Sequence, residues 1–149
     1  MKNFLVINGP NLNFLGTRKP EIYGAETLDD IMSELSKYAE EKNVKLQFAG
    51  SNHEGAIIDE IHKAFYLKSD GIILNAGAYS HYSYAIRDAI EAVSIPTVEV
   101  HLSDVKNREA FRRTSVLEDV CVKTISGHGK RGYIEALDFL LNLTAEEEK

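Results

Sequence analysis

Short apolar runs alternate along this chain with longer stretches in which apolar residues return every third or fourth position. Residues 4–7, Phe-Leu-Val-Ile, are apolar at every position, which suits a parallel strand covered on both faces. Residues 45–49, 71–74, 97–101 and 120–125 supply four more strand candidates. Leu28, Ile31, Met32, Leu35 and Ala39 mark a helix reaching about residue 42, introduced by the capping sequence Thr27-Leu-Asp-Asp30. Ile57, Ile58, Ile61, Ala64 and Phe65 mark a second helix, and Ile86, Ala89, Ile90 and Val93 a third that Pro96 ends. Tyr133, Ile134, Leu137, Leu140 and Leu141 mark the last. The polar stretch 103–118 breaks the pattern and predicts a loop with a short helix over 109–113.

Five strands alternating with helices predict an α/β fold with helices on both faces of a parallel sheet. With right-handed crossovers, the expected arrangement is a flavodoxin-like three-layer fold of strand order 2-1-3-4-5, formed as one domain over residues 1–149. Ligands in such folds sit beyond the C-terminal strand ends where the chain reverses direction, so the exits of strands one and three frame the expected site.

The first exit is unusual. Residues 9–24 carry Gly9, Gly16, Gly24, Pro10 and Pro20 and predict a long, mobile loop, and loops of that length in compact domains are commonly lids or binding loops. Arg18 stands five residues before Tyr23; a guanidinium folded beside a phenol favours the phenolate, whereas apart they are a solvated cation and a packing ring. The other exits hold Asn8 and Asn11, then Asn75, Tyr79, Ser80 and His81, then Glu99, His101 and Ser103. Glu99 and His101 are two apart on a strand and share a face, so the carboxylate can orient the imidazole. His62, between apolar helical positions, reads as structural or solvated.

Composition narrows the classes. Of 149 residues 44% are hydrophobic, enough for a full core, and a net charge of −6 without a basic stripe argues against nucleic acid as main partner. No run approaches a membrane span and the N-terminal apolar run is too short for a secretory signal, so a cytoplasmic location is expected. Cys121 is the only cysteine, and Val-Cys-Val predicts a buried strand thiol. Gly127-His-Gly-Lys-Arg-Gly132 has the spacing of a dinucleotide fingerprint, but no strand with an acidic residue follows it, so its glycines are expected to serve close packing. His81, His101 and His128 lack tight ligand spacing, and no metal site is expected.

Several blocks together resemble the type II dehydroquinases: Asn8-Gly-Pro-Asn-Leu-Asn, Ser51-Asn-His-Glu-Gly55, Asn75-x-Gly-Ala-Tyr-Ser-His81, Glu99-Val-His-Leu-Ser103 and Phe111-Arg-x-x-Ser115. The resemblance covers essentially the whole chain in order. It implies dehydration of 3-dehydroquinate to 3-dehydroshikimate in the shikimate pathway, with no cofactor, and with Tyr23 as base, Arg18 as the cation that activates it and His101 as proton donor. It further implies that Asn11 holds a water or the enolate oxygen and that Asn75, His81 and Arg112 bind substrate hydroxyls. Leu102 and Ser103 take the substrate carboxylate on this reading. Asp88, by itself a solvated helix carboxylate, is implied to reach a neighbouring subunit's site in a dodecamer built from trimers. Gly50, Ala76, Tyr82 and Asp104 depart from the family pattern.

A flavodoxin-like module that binds a nucleotide, flavin or phosphoryl group without turnover is the rival reading, because one fold hosts many functions. The missing phosphate-cradling glycine loop and the missing acidic cluster after strand one count against it.

Overall fold

The computed structural model describes residues 1–17 and 20–147, leaving out the side chains at 22, 23, 146 and 147. Arg18 and the Tyr23 side chain therefore lie outside the described residues. Strand β1 (Lys2–Asn8) leads through a 3-10 turn, Leu12–Phe14, to a single helical turn, α1 (Pro20–Tyr23). The elements that follow are α2 (Leu28–Glu41), β2 (Val44–Gly50), α3 (Glu54–Tyr66), β3 (Gly71–Asn75), α4 (Tyr84–Val93), β4 (Thr97–His101), β5 (Lys123–Ser126) and α5 (Arg131–Glu147). All neighbouring strands are parallel, in the order β2-β1-β3-β4-β5, as the alternating pattern predicts.

The sheet divides the core in two. Phe4 and Val6 of β1 pack with α2 and α5, through Leu35, Tyr133, Leu137 and Leu140. Leu5 and Ile7 face the other way, onto Ile57 and Ile61 of α3 and Ile86 and Ile90 of α4. This two-sided burial is why β1 reads as a continuous apolar run, and each such side chain contributes roughly 1.5–3 kcal/mol relative to exposure. The capping box forms as expected: the Asp30 N–H donates to Thr27 Oγ1 at 3.1 Å and the Thr27 N–H to Asp30 Oδ2 at 3.0 Å. That fixes where the chain re-enters regular structure after the long loop.

Strand five is shorter than the sequence predicts. Val120 closes a 3-10 turn, Glu118–Val120, and pairing with β4 begins at Lys123. Cys121 therefore lies ahead of the strand, partly buried, and burial pushes its thiol up to about 12. Val120 and Cys121 are apolar because they cover the α3–α4 side of the core, not because they pair. The helix expected over 109–113 is a 3-10 turn, Ala110–Arg113, and His62 is exposed on α3. No helix among the described residues is long and apolar enough to cross a membrane.

Candidate active site

The exits of β1 and β3 are drawn together by backbone contact. The Gly9 N–H donates to the Asn75 carbonyl at 2.7 Å, and a Cβ on Gly9 would stand 2.7 Å from the Ala76 oxygen. Gly77, at φ +59, turns beneath Pro10, whose oxygen would lie 3.1 Å from an added Cβ. Only a residue without a side chain fits the first position, and the second also needs left-handed backbone. Ala76, which departs from the family pattern, is held at φ −79 between them.

Asn8 and Asn75 are register partners at these exits, each 3% exposed. Between them lies the hydroxyl of Tyr133 from α5, donating to Asn8 Oδ1 at 2.6 Å and accepting from Asn75 Nδ2 at 2.9 Å. The Gly77 N–H donates to Asn75 Oδ1 at 3.2 Å, and Asn8 Nδ2 reaches the Met32 sulfur at 3.4 Å. Burial pushes the Tyr133 phenol up to about 12 against the opposing pull of Asn75, so it remains a donor at neutral pH.

The end of β4 holds the Glu99–His101 pair that the spacing predicts. Glu99 is fully buried and its Oε2 lies 2.6 Å from His101 Nε2. Ser115 donates to Oε2 at 2.6 Å and Thr124 to Oε1 at 3.1 Å. Burial is the largest single influence on Glu99 and acts upward, but the His101 bond and charge with the two hydroxyl bonds outweigh it and hold the carboxyl below its ordinary value. The ionised carboxylate can only accept, so Nε2 carries a proton, and Nδ1 has no partner among the described residues. His81 stacks on His101, ring centres 6.4 Å apart. Its Nδ1 faces the Thr114 carbonyl at 2.8 Å and therefore donates. When the ring is neutral this leaves Nε2 as an acceptor.

The other expected residues gather around this edge. Ser103 is exposed past β4, with Arg108 Nη1 3.4 Å from its hydroxyl. The Leu102 carbonyl accepts from the Gly129 N–H at 3.0 Å. Arg112 packs over Phe111, 4.7 Å from the ring centre, and pairs with Glu109 at 2.5 Å. Asn11 adopts left-handed backbone at φ 69, and its N–H donates to Asn52 Oδ1 at 2.9 Å, while Tyr79 donates to the Asn52 carbonyl at 2.7 Å. Asp88 is apart from this group, exposed on α4. Tyr133, Ser115, Thr124 and Asn52 were not singled out as site residues by sequence. Asn52 and Ser115 had a signal, each standing in a block shared with the family.

Of the glycines of 127–132, Gly127 and Gly132 stand in close packing as expected, whereas Gly129 has open space around it and a left-handed backbone at φ +57. A Cβ on Gly132 would meet Val100 and Ile125 at 3.2 and 3.4 Å. No cluster of three or more His, Cys, Asp or Glu suited to a metal occurs among the described residues. A concavity of about 600 Å³ opens over the β5 edge between Asp104, Lys123, His128 and Glu135. It contains none of the residues expected at the strand exits.

A parallel α/β sheet whose strand exits present a buried carboxylate–imidazole pair beside amide and cationic side chains defines the class. The model of the family described as dehydroquinase class II matches residues 2–141. The 3-dehydroquinate dehydratase of Caldicellulosiruptor bescii is 54% identical over 137 residues, 92% of this chain and 94% of that protein. The Bacillus subtilis 3-dehydroquinate dehydratase is 50% identical over the full length of both chains. Among solved structures, the type II dehydroquinase from Butyrivibrio crossotus superposes with a TM-score of 0.91 at 52% identity, covering 94% of this chain and 97% of that one. This chain belongs to the class II dehydroquinase family.

Proposed function

We propose that this chain is a hydro-lyase that dehydrates 3-dehydroquinate to 3-dehydroshikimate in the shikimate pathway of aromatic amino acid biosynthesis, without a Schiff base. Family membership supports the reaction, and the Glu99–His101 pair is the observation that carries it to this site. A base removes the proton from carbon 2 and the C–H electrons move onto the neighbouring ketone as an enolate. They return to form the ring double bond while the carbon 1 hydroxyl takes a proton and leaves as water.

Tyr23 is the base and Arg18 its activating cation; Arg18 and the Tyr23 side chain lie outside the described residues. Moving a phenol from about 10 to near 7 takes roughly 4 kcal/mol of preference for the phenolate. An exposed arginine supplies less than that, so residues 9–24 act as a mobile loop that closes and dries the site. His101 protonates the leaving oxygen through Nδ1, its positive charge stabilised by Glu99. Asn11 holds the enolate oxygen or a water, and Asn75, His81 and Arg112 bind substrate hydroxyls. The N–H groups of Leu102 and Ser103 with the Ser103 hydroxyl bind the carboxylate, and Arg108 adds a second positive charge that favours the phenolate.

The same reading extends to assembly and place: a cytoplasmic dodecamer of trimers in which Asp88 serves a neighbour's site. Asp88 is exposed on α4, while Arg87 beside it turns to Asp119. The reaction is tested by following ultraviolet absorbance of purified protein with 3-dehydroquinate, because the product is a conjugated enone and the substrate is not. A steady rise is expected, and a flat trace at high enzyme concentration overturns the proposal.

A further inference from the structure

The proposed chemistry makes no use of Tyr133, although its hydroxyl bridges the two strand exits that frame the site. The proton order of that bridge follows from its fixed end. The Gly77 N–H can only donate, so the amide oxygen of Asn75 faces it and the amide nitrogen faces Tyr133. The phenol oxygen then accepts from Asn75, and its single proton goes to Asn8 Oδ1. Asn8 turns its own nitrogen to a thioether, a weak acceptor, so the phenol is the stronger hold on that amide. Asn75 is thereby locked with a second N–H still uncommitted.

We propose that Tyr133 is a positioning residue for substrate recognition: its hydroxyl holds the Asn75 amide so that an N–H, and not the carbonyl oxygen, meets a substrate hydroxyl. The inference rests on the proposed function, in which Asn75 binds substrate. With Asn75 only 3% exposed, a ligand meets very little of it, and which end of the amide it meets decides whether a bond forms. Without the phenol oxygen the amide nitrogen loses its acceptor, and the 3.2 Å bond from the Gly77 N–H is left to hold the amide alone, so its orientation is less firmly fixed. Because the bond to a hydroxyl is made in ground and transition states alike, its loss raises KM and leaves kcat.

Steady-state kinetics on Tyr133→Phe test this, with 3-dehydroquinate as substrate and enone absorbance as readout. KM should rise about tenfold with kcat within about threefold of wild type. Added to Asn75→Ala, the same change should raise KM no further, since a residue acting through Asn75 has nothing left to position. Tyr38→Phe, which removes a phenol bonded to Asp138 of the same α5 helix, controls for general loosening and should leave KM unchanged. If Tyr133→Phe fails to fold, Asn8→Ala replaces it. There the phenol proton loses its acceptor and competes with the Gly77 N–H for the Asn75 amide oxygen, loosening the amide and raising KM. A KM within about twofold of wild type in the folded variant, or additive effects with Asn75→Ala, overturns the inference alone. A wild-type chain that makes no enone overturns the proposed function and this inference with it.

Discussion

Glu99 and His101 stand two residues apart on β4 and meet through a 2.6 Å bond between Oε2 and Nε2, with Ser115 and Thr124 donating to the same carboxylate. Three donors around a buried acid do more than neutralise it. They fix its plane, and through Nε2 they fix which imidazole nitrogen remains available.

Glu99→Gln keeps the shape and removes the charge. Turnover should fall roughly 10²-fold or more, on the scale of one lost general-acid contribution, with KM little changed. The pH dependence of stability follows from the lowered pKa of Glu99. A carboxyl held below its unfolded value adds stability above that value and loses it as pH falls through the folded one. Wild-type and variant denaturant midpoints should therefore converge as pH drops below the ordinary glutamate value of 4.5. Equal kcat in the two proteins would refute the role given to the pair.

Tyr23→Phe removes one oxygen from the proposed base. Turnover should fall by about 10²–10⁴-fold while substrate binding, measured by calorimetry, and melting temperature stay near wild type. Arg18→Ala should behave alike. Activity within a few-fold of wild type in Tyr23→Phe sinks the base assignment.

Gly9→Ala sets a methyl group 2.7 Å from the Ala76 backbone oxygen. Neither backbone has slack there, because the Gly9 N–H is bonded to Asn75. A loss of about 1–3 kcal/mol is expected from overpacking, read as a shifted urea midpoint. An unshifted midpoint would show that the exits of β1 and β3 part freely.

Asp88→Ala should impair turnover or substrate affinity although Asp88 lies on the exposed face of α4. Sedimentation should show a large homo-oligomer for wild type. A fully active monomer at working concentration would remove the shared site and leave the tyrosine chemistry intact.

What the sequence determined alone was whatever depends on near neighbours. Burial on both faces makes β1 apolar at every position, helices repeat their apolar residues every third or fourth position, and the Thr27–Asp30 box closes within three residues. Those signals, placed on a parallel sheet, sufficed for the strand order and for the edge on which the polar residues gather. Glu99 and His101 were legible for the same reason, since residues two apart on a strand share a face. The tertiary structure decided what joins distant segments. Val120 and Cys121 have strand-like composition, yet the chain turns there and the pair covers α3 and α4 instead. Tyr133 looked like one more core position of its helix until the crossovers brought its hydroxyl to Asn8, 125 residues away in sequence. Ser115 and Thr124 likewise reach Glu99 from separate segments. Hydrogen bonds between remote segments follow from how crossovers and register stack the chain, and they leave no periodicity in the sequence to read.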